Sequence, residues 1–313
     1  MTPSKVAEIP SGETETETET QTRTHSESAA GADRTSAAAV PAAEPRRRAP
    51  GLWRASAARS SVELKAFFRN KQSLVFTLFF PVLLLLVFGS IFSGKVEGTD
   101  TDFRQVFMAG IVAAGVMSTA FSGLAISVAI ERDTGTIRRL AMTPMPKAAY
   151  FIGKLVRVVV TTVLETVLLI GIAVAFFSLP LPETGQRWFT LAWCLALGTA
   201  ACALAGLAYS AAIPNSRSAP AIVTPVFMVL QFISGVFFPF DKLPVWMQNT
   251  AALFPVKWMA QGFRSVFLPD SFTVVEPAGS WELGRIALVL GLWAIGCLAA
   301  TALTFGWRGP RVR

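Results

Sequence analysis

The chain has 313 residues, of which 52% are hydrophobic and 15% are charged, and its formal net charge is +8. Its apolar residues come in long blocks, a composition typical of a protein that crosses the membrane several times. Its single histidine, His25, lies before these blocks, and Cys194, Cys202 and Cys297 lie inside them, which argues against Ser/His or Cys/His catalysis, a disulfide framework and a metal knuckle.

Residues 1–60 combine a TETETETQTRT repeat with an Ala- and Pro-rich stretch and contain almost no large apolar side chains. Such a segment cannot bury enough surface to offset the entropy of ordering it, which predicts a disordered cytoplasmic tail. In residues 53–72, aromatic and aliphatic side chains are mixed with Arg and Lys. This pattern indicates a basic helix that lies in the lipid headgroup plane directly before the first membrane span.

Six apolar segments follow, each close to the roughly 20 residues that a helix needs to cross about 30 Å of hydrocarbon. They are residues 73–92, 106–130, 155–179, 188–213, 219–238 and 284–307. Lys and Arg are concentrated before the first span, between the second and third, and after the sixth, which places both termini in the cytoplasm. The sequence therefore predicts an all-α, multi-pass protein of the plasma membrane. Its basic charge suits contact with anionic membrane lipid and not with nucleic acid, because no basic stripe is interleaved with stacking aromatic residues.

The charged passage ERDTGTIRRLAMTPMP, residues 131–146, lies between the second and third predicted spans. Its DTGT turn, followed by IRRLAM and closed by Pro144 and Pro146, predicts a short amphipathic helix. From the residues alone two interpretations stay open. The passage is either a docking surface for a partner or an ordinary basic loop that follows the positive-inside rule.

Glu165 is the one acidic side chain near the middle of a predicted span. An ionised, unpaired carboxylate at that depth costs on the order of a few kcal/mol, so Glu165 should face the bundle interior or a wet cavity. It is predicted either to line the translocation path or to make a structural hydrogen bond between spans. Arg157, about two helical turns earlier, and Gln231 in the fifth span are its candidate partners, and Gln231 is the second candidate for the path.

Residues 239–283 are too long for a simple turn and too apolar for a soluble loop. Prolines divide this stretch into helix-sized pieces, which predicts two short helices that dip into or re-enter the outer membrane surface between the fifth and sixth spans. The alternative is an amphipathic loop that rests on the membrane. The residues expected to define this external re-entrant segment are Pro239, Pro244, Trp246, Pro255, Trp258 and Arg264.

Residues 89–95, GSIFSGK, match most of a phosphate-binding P-loop. A working P-loop requires Ser or Thr after the lysine and a buried strand before the first glycine, whereas here Val96 follows and an apolar span precedes. We therefore expect no ATP hydrolysis by this chain, and we predict no catalytic residue, metal ligand or cofactor.

Three stretches together resemble the ABC-2 type transporter permeases, especially the daunorubicin-resistance type of drug exporter. They are residues 131–146, residues 234–248 (SGVFFPFDKLPVWMQ) and residues 252–268 (ALFPVKWMAQGFRSVFL). The resemblance implies a permease domain at residues 61–313 that forms half of a dimeric pore, either as a homodimer or with a second permease. It also implies a separate ATP-binding cassette ATPase as partner, and a coupling helix that docks on that ATPase through Glu131, Gly135, Arg138, Arg139, Leu140 and Pro144.

The resemblance further implies export of a lipophilic drug-like or lipid-like substrate, as in multidrug export and antibiotic resistance, with ATP hydrolysed by the partner. A permease for polysaccharide or lipid-linked precursors is the alternative within the family. A secondary transporter is less favoured, because the sequence shows no internal repeat and Glu165 is its one buried titratable group within a span. An intramembrane enzyme would need a nucleophile with a base or metal ligands, and neither is present.

Overall fold

The long apolar runs of this chain form helices because a helix satisfies every backbone hydrogen bond within one segment, as a lipid environment requires. The computed structural model describes residues 51–92, 94–237 and 240–305. The α-helices in this part of the chain are α1 (Leu52–Arg69), α2 (Lys71–Ile91), α3 (Phe103–Met117), α4 (Leu124–Asp133), α5 (Thr136–Ala141), α6 (Lys147–Phe177), α7 (Gly185–Ser210), α8 (Ala219–Ile233), α9 (Val245–Ala251), α10 (Pro255–Phe267) and α11 (Leu283–Thr304).

Among the described residues, five helical segments are long and apolar enough to cross a membrane. They are α2, the continuous segment from α3 to α4, α6, α7 and α11. Helix α8 is also apolar but has only 15 residues, which corresponds to about 22 Å at the usual helical rise. The prediction of an all-helical membrane protein with several spans is therefore confirmed.

The second predicted span is not one regular helix. Helices α3 and α4 are joined by a π-helical turn at Ser118–Gly123, and together they form the segment Phe103–Asp133 of 31 residues. A π-helical turn inserts an extra residue into the helix and is often found at functional sites. The sequence analysis expected a span at residues 106–130 and did not anticipate this turn.

The fifth predicted span, residues 219–238, begins where α8 begins but extends too far along the chain. Helix α8 ends at Ile233, where Ser234 is buried and Gly235 adopts a φ of +69°. A residue with positive φ commonly ends a helix, and glycine adopts it without steric cost. Arg264, which lies beyond α8 in the chain, stabilises this turn, because it donates a hydrogen bond of 3.4 Å to the carbonyl of Gly235.

Helix α1 begins at Leu52, so the tail predicted for residues 1–60 extends too far into the chain. The rest of that predicted tail, residues 1–50, lies outside the described residues. Helix α1 packs along the first part of α6 and meets α2 at Asn70. The helix predicted at residues 53–72 is present, and it ends two or three residues earlier than expected.

Helices α9 and α10 fall where prolines predicted short helices. Pro244 directly precedes α9 and Pro255 is the first residue of α10, whereas Pro239 lies outside the described residues. Every residue of α10 is buried, because this helix packs against α3, α7 and α11. The alternative of a loop that merely rests on the membrane is therefore wrong for α10. We call the end of the bundle that carries α5 the α5 end, and the other the opposite end.

Candidate functional site

Helix α5 is a separate short helix that connects two long membrane helices. The chain leaves α4 at Asp133, turns through Gly135 at a φ of +73°, and restarts a helix at Thr136. After Ala141 the chain passes through Pro144 and Pro146 before α6 begins at Lys147. The predicted short helix is confirmed, and its turn needs glycine because other residues rarely adopt this left-handed conformation.

The outward surface of α5 is basic and apolar. Arg138, Arg139 and Pro144 are exposed, and the side chain of Met142 is 88% exposed. Ile137 is buried and anchors the helix to the bundle, and Leu140 is half-buried. A six-residue helix with this distribution of side chains presents a compact surface that a partner protein can contact.

Glu131 occupies a different environment from the other residues predicted for this surface. Its carboxylate pairs with Lys154, which is fully buried, and accepts a hydrogen bond of 2.8 Å from the hydroxyl of Tyr150. Lys154 also pairs with Glu63 of α1, at 2.9 Å from Nζ to Oε1, and Glu63 in turn pairs with Arg59. Glu131 therefore points into an ion-pair cluster that joins α1, α4 and α6.

The last residues of α4 are also attached to the segment between α7 and α8. The guanidinium of Arg132 donates hydrogen bonds to the carbonyl oxygens of Ser210, at 3.0 Å, and Ile213. The carboxylate of Asp133 accepts hydrogen bonds from the backbone and the hydroxyl of Ser216. Helix α5 thus extends from a helix end that is attached to α1, α6 and the α7–α8 segment.

Glu165 and Gln231 both contact the segment formed by α3 and the π-helical turn, at different residues. Glu165 is 2% exposed and accepts a hydrogen bond of 3.0 Å from the hydroxyl of Thr119. Its other oxygen, Oε1, has no hydrogen-bond partner in the described part of the chain. Gln231 donates to the carbonyl of Ala114 at 3.3 Å. The two side chains therefore do not bond to each other, and Arg157, the other candidate partner, is directed toward Glu63.

Buried polar contacts stabilise the predicted external re-entrant segment, which lies at the opposite end of the bundle. Arg264 of α10 pairs with Glu276 at 2.6 Å, and both side chains are almost completely buried. Trp258 donates to the carbonyl of Ala252 at 2.8 Å, which closes the turn before α10. Trp246 of α9, by contrast, is 65% exposed. Of the residues predicted to define this segment, those on α10 form its packed core and those around α9 form its surface.

A protein-family model described as "ABC-2 type transporter" matches residues 58–268, which is more than half of the chain. The chain belongs to the ABC-2 type transporter family. It is similar to "Inner membrane transport permease YadH" of Escherichia coli (strain K12), with 24% identity over 248 residues that cover 76% of this chain and 94% of that protein. It is also similar to "Probable multidrug ABC transporter permease YbhR" of the same organism, with 24% identity over 193 residues that cover 61% and 51% of the two chains.

Membership of the ABC-2 family makes this chain a permease of an ABC transporter, and it implies an ATP-binding partner subunit. The resemblance found in the sequence is thereby confirmed. The matched residues run from within α1 to the end of α10. They therefore include α5 and the residues of the ion-pair cluster on α1, α4 and α6. Its relatives are named as transport permeases, which agrees with a transport subunit.

Several residues at the α5 end of this ABC-2 permease were missed by the sequence analysis. Lys154, Glu63, Arg132 and Asp133 all make contacts that fix α4 and α6, yet none was predicted to matter. Part of the signal was available, since Arg59 and Glu63 are four residues apart and such pairs meet on one helix face. The contacts from Glu63 to Lys154 and from Asp133 to Ser216 join distant parts of the chain and leave no local pattern.

Proposed function

We propose that this ABC-2 permease is the membrane subunit of an exporter in which α5 is the coupling helix. The proposal rests mainly on one observation: α5 exposes Arg138, Arg139 and Met142 between two segments of 31 residues whose ends are fixed to α1 and to the α7–α8 segment. Such a helix can receive a push from a partner and pass it to several membrane helices at once. The shape of the docking surface would depend on Gly135, Leu140 and Pro144. Glu131 would fix the end of α4, from which α5 extends.

The orientation that fits this role places the α5 end and both termini in the cytoplasm of a cell whose plasma membrane the chain crosses six times. Helix α8 would serve as the fifth span, and α9 and α10 would form the external re-entrant helices. ATP-driven closure of two ATPase subunits would move α5, and the attached spans would then open the centre of a dimer outward. The pore would be a homodimer or a pair with a second permease.

A lipophilic drug-like or lipid-like substrate is the cargo that the chain supports best. An apolar cavity of about 400 Å³ lies between α3, α7, α8 and α11, with Met117, Phe121, Leu230 and Trp293 in its wall. One relative is named a multidrug permease, which supports export of this kind of compound. Glu165 and Gln231 would border the path next to α3 and the π-helical turn. A permease for polysaccharide or lipid-linked precursors is the second candidate, and this apolar wall favours it less.

The coupling role is tested by isolating the permease with its ATPase from detergent-solubilised membranes. The variant Arg138→Glu, Arg139→Glu reverses both exposed charges on α5 and should abolish recovery of the ATPase while the permease still inserts and expresses. Lys95→Glu is the matched control, because Lys95 is an exposed cation next to the start of α3, at the opposite end.

Retention of the ATPase by the double variant would reject α5 as the main docking surface. A failure to recover any ATPase with the unaltered permease, even after cross-linking, would count against coupling to a separate ATPase. A secondary transporter would then become the hypothesis to test. Loss of the ATPase with the Lys95→Glu control would show that the charge reversals act through general damage to the protein.

A further inference from the structure

A second cavity, of about 490 Å³, lies at the α5 end between the α1–α2 junction, the π-helical turn and α6. One side of it is apolar, with Phe76, Ile126 and Ile130 in the wall. The other side is polar. The polar residues that line the cavity are Asn70, Ser73, Thr77, Ser118, Thr119, Ser122, Ser127, Glu131, Arg157 and Thr161.

Four of these polar groups have no protein partner, whereas Thr119, Ser127 and Thr161 already bond to Glu165, Lys154 and the carbonyl of Arg157. In the described part of the chain, the hydroxyls of Ser73, Thr77, Ser118 and Ser122 take part in no hydrogen bond. Asn70 accepts a hydrogen bond from the amide of Ser73 through its oxygen, which leaves its NH₂ group available. Several donors are therefore directed into one cavity, which indicates a bound molecule rich in acceptor oxygens.

The charges around this cavity do not balance. The ion-pair cluster joins the cations of Arg59, Lys154 and Arg157 to the carboxylates of Glu63 and Glu131, which leaves one positive charge in excess. Arg157 carries that excess, because its only carboxylate neighbour among the described residues is 4.0 Å from Nε, beyond hydrogen-bond length. The side chain of Arg157 is 18% exposed, and a poorly hydrated charge without a partner is unfavourable.

One carboxylate, that of Glu131, also borders the cavity and would repel an anion if it were unpaired. It is not unpaired, because Lys154 neutralises it and the hydroxyl of Tyr150 donates to it at 2.8 Å. The cavity therefore presents the guanidinium of Arg157 as its uncompensated charge. A ligand with one negative charge would complete the cluster.

The apolar wall of the cavity continues outside it. A groove along α2 runs from Lys71 to Leu83 past Phe79, and it shares Phe76 with the cavity. Phe76 is 66% exposed and Phe79 is 56% exposed, so this groove is open to the surrounding lipid. A molecule with an anionic oxygen-rich head and an apolar chain fits both parts at once.

We infer that the cavity binds the phosphate of an anionic phospholipid, with Arg157, Asn70 and Ser73 donating to its oxygens and one acyl chain along the groove of α2. Charge-assisted hydrogen bonds from arginine to phosphate are strong, and basic pockets between membrane helices are suited to lipid headgroups. Lipid binding at this site does not require α5 to dock on an ATPase. The inference can therefore be tested independently of the proposed function. A bound lipid would fill the space between α1, the π-helical turn and α6, and thereby stiffen the base from which α5 extends.

The test is lipid binding by the full-length permease, purified in detergent and titrated with phosphatidylglycerol while bound lipid is counted by native mass spectrometry. We expect one phosphatidylglycerol per chain to bind in preference to phosphatidylcholine, and Arg157→Gln to weaken its affinity about tenfold, as loss of one charge-assisted contact should. Arg157→Gln should still fold, because the cluster then holds two cations and two carboxylates. Arg54→Gln, an exposed arginine of α1 outside the cavity, is the matched control and should bind as the unaltered chain does.

A second variant, Ser118→Ala with Ser122→Ala, removes only hydroxyls that have no protein partner. It should weaken phosphatidylglycerol binding without lowering the thermal unfolding midpoint of the lipid-free protein. Equal affinity for phosphatidylcholine, or an equal loss in Arg54→Gln, would reduce the site to ordinary lipid contact and overturn the inference. Inorganic phosphate that binds as tightly as the lipid would also overturn it, in favour of a site for soluble phosphate.

Discussion

Lys154 shows how a single residue can decide the geometry of the α5 end. Its ammonium group is fully buried and contacts Glu63 of α1 and Glu131 of α4 from its own position on α6. A buried charge is tolerated only when it is paired and hydrogen-bonded, so these three side chains depend on one another. The position of α4, and with it that of α5, therefore depends on a contact that lies inside the protein.

We predict that Lys154→Met lowers the stability of the permease by about 3 kcal/mol, because it removes the buried cation in direct contact with both carboxylates and leaves Glu131 only Arg59, at 3.9 Å, as an ion-pair partner in the described part of the chain. The measurement is the thermal unfolding midpoint of the purified protein in detergent. Lys65→Met is the control, since Lys65 is exposed on α1 and makes no ion pair among the described residues. An unchanged midpoint in Lys154→Met would mean that the cluster does not hold α1, α4 and α6 together.

Sequence reasoning located the residues of α5 itself but not those that hold it. Arg138 and Arg139 were predictable because a short charged run between two apolar blocks is visible along the chain. Glu131 was grouped with them by position, although the structure turns its side chain inward. The reason is that the direction of a side chain at a helix end depends on distant partners, here Tyr150 and Lys154, that no local pattern reveals.

At the scale of elements, the close approach of backbones explains how α3 packs. Gly110 lies in the middle of α3, and a Cβ atom on it would come within 1.9 Å of the carbonyl oxygen of Val236. That oxygen belongs to the turn that ends α8, so α3 and the end of α8 touch backbone to backbone. Small residues at such contacts are a principal means of packing helices in membranes.

We predict that Gly110→Ala destabilises the protein by about 1–3 kcal/mol, because backbone atoms must shift to admit the methyl group. Gly171→Ala is the matched control, since Gly171 is also helical and has no atom within 4 Å of the added Cβ. It should keep or slightly raise the unfolding midpoint, as alanine is the better helix former. If the two variants melt alike, the approach of α3 to Val236 is not a tight contact in the folded protein.

The elements that hydropathy predicts well are those that consist of one long apolar run. The spans that became α2, α7 and α11 were placed within a few residues of their helices because a run of about 20 apolar residues has one obvious structure, whereas α6 begins at Lys147, before the span predicted at residues 155–179. Hydropathy did not predict two features. They are the π-helical turn at Ser118–Gly123, which has no distinct composition, and the early end of α8. The second could have been anticipated, because Ser234 and Gly235 form a recognisable helix stop.

At the scale of the whole molecule, the two ends of the bundle have different chemistry. The α5 end carries α5, the ion-pair cluster and the cavity with its uncompensated arginine. The opposite end carries the buried helix α10 and its pair between Arg264 and Glu276. This division fits the proposed coupling at the α5 end, and it makes the orientation in the membrane the property to test.

We predict that the α5 end faces the cytoplasm and the segment after α10 faces the outside. Met142→Cys and Val274→Cys report on the two ends, because these side chains are 88% and 79% exposed. In intact cells a membrane-impermeant maleimide should label Val274→Cys and not Met142→Cys, and in inverted membrane vesicles the pattern should reverse. The unaltered chain is the control, since Cys194 and Cys202 are buried in the fold and Cys297 is half-buried. The proposed topology has three crossings, α6, α7 and α8, between the two labelled positions, so they must face opposite sides. Labelling of both positions from the same side would contradict this topology. Either α8 or a neighbouring helix would then not be a membrane span.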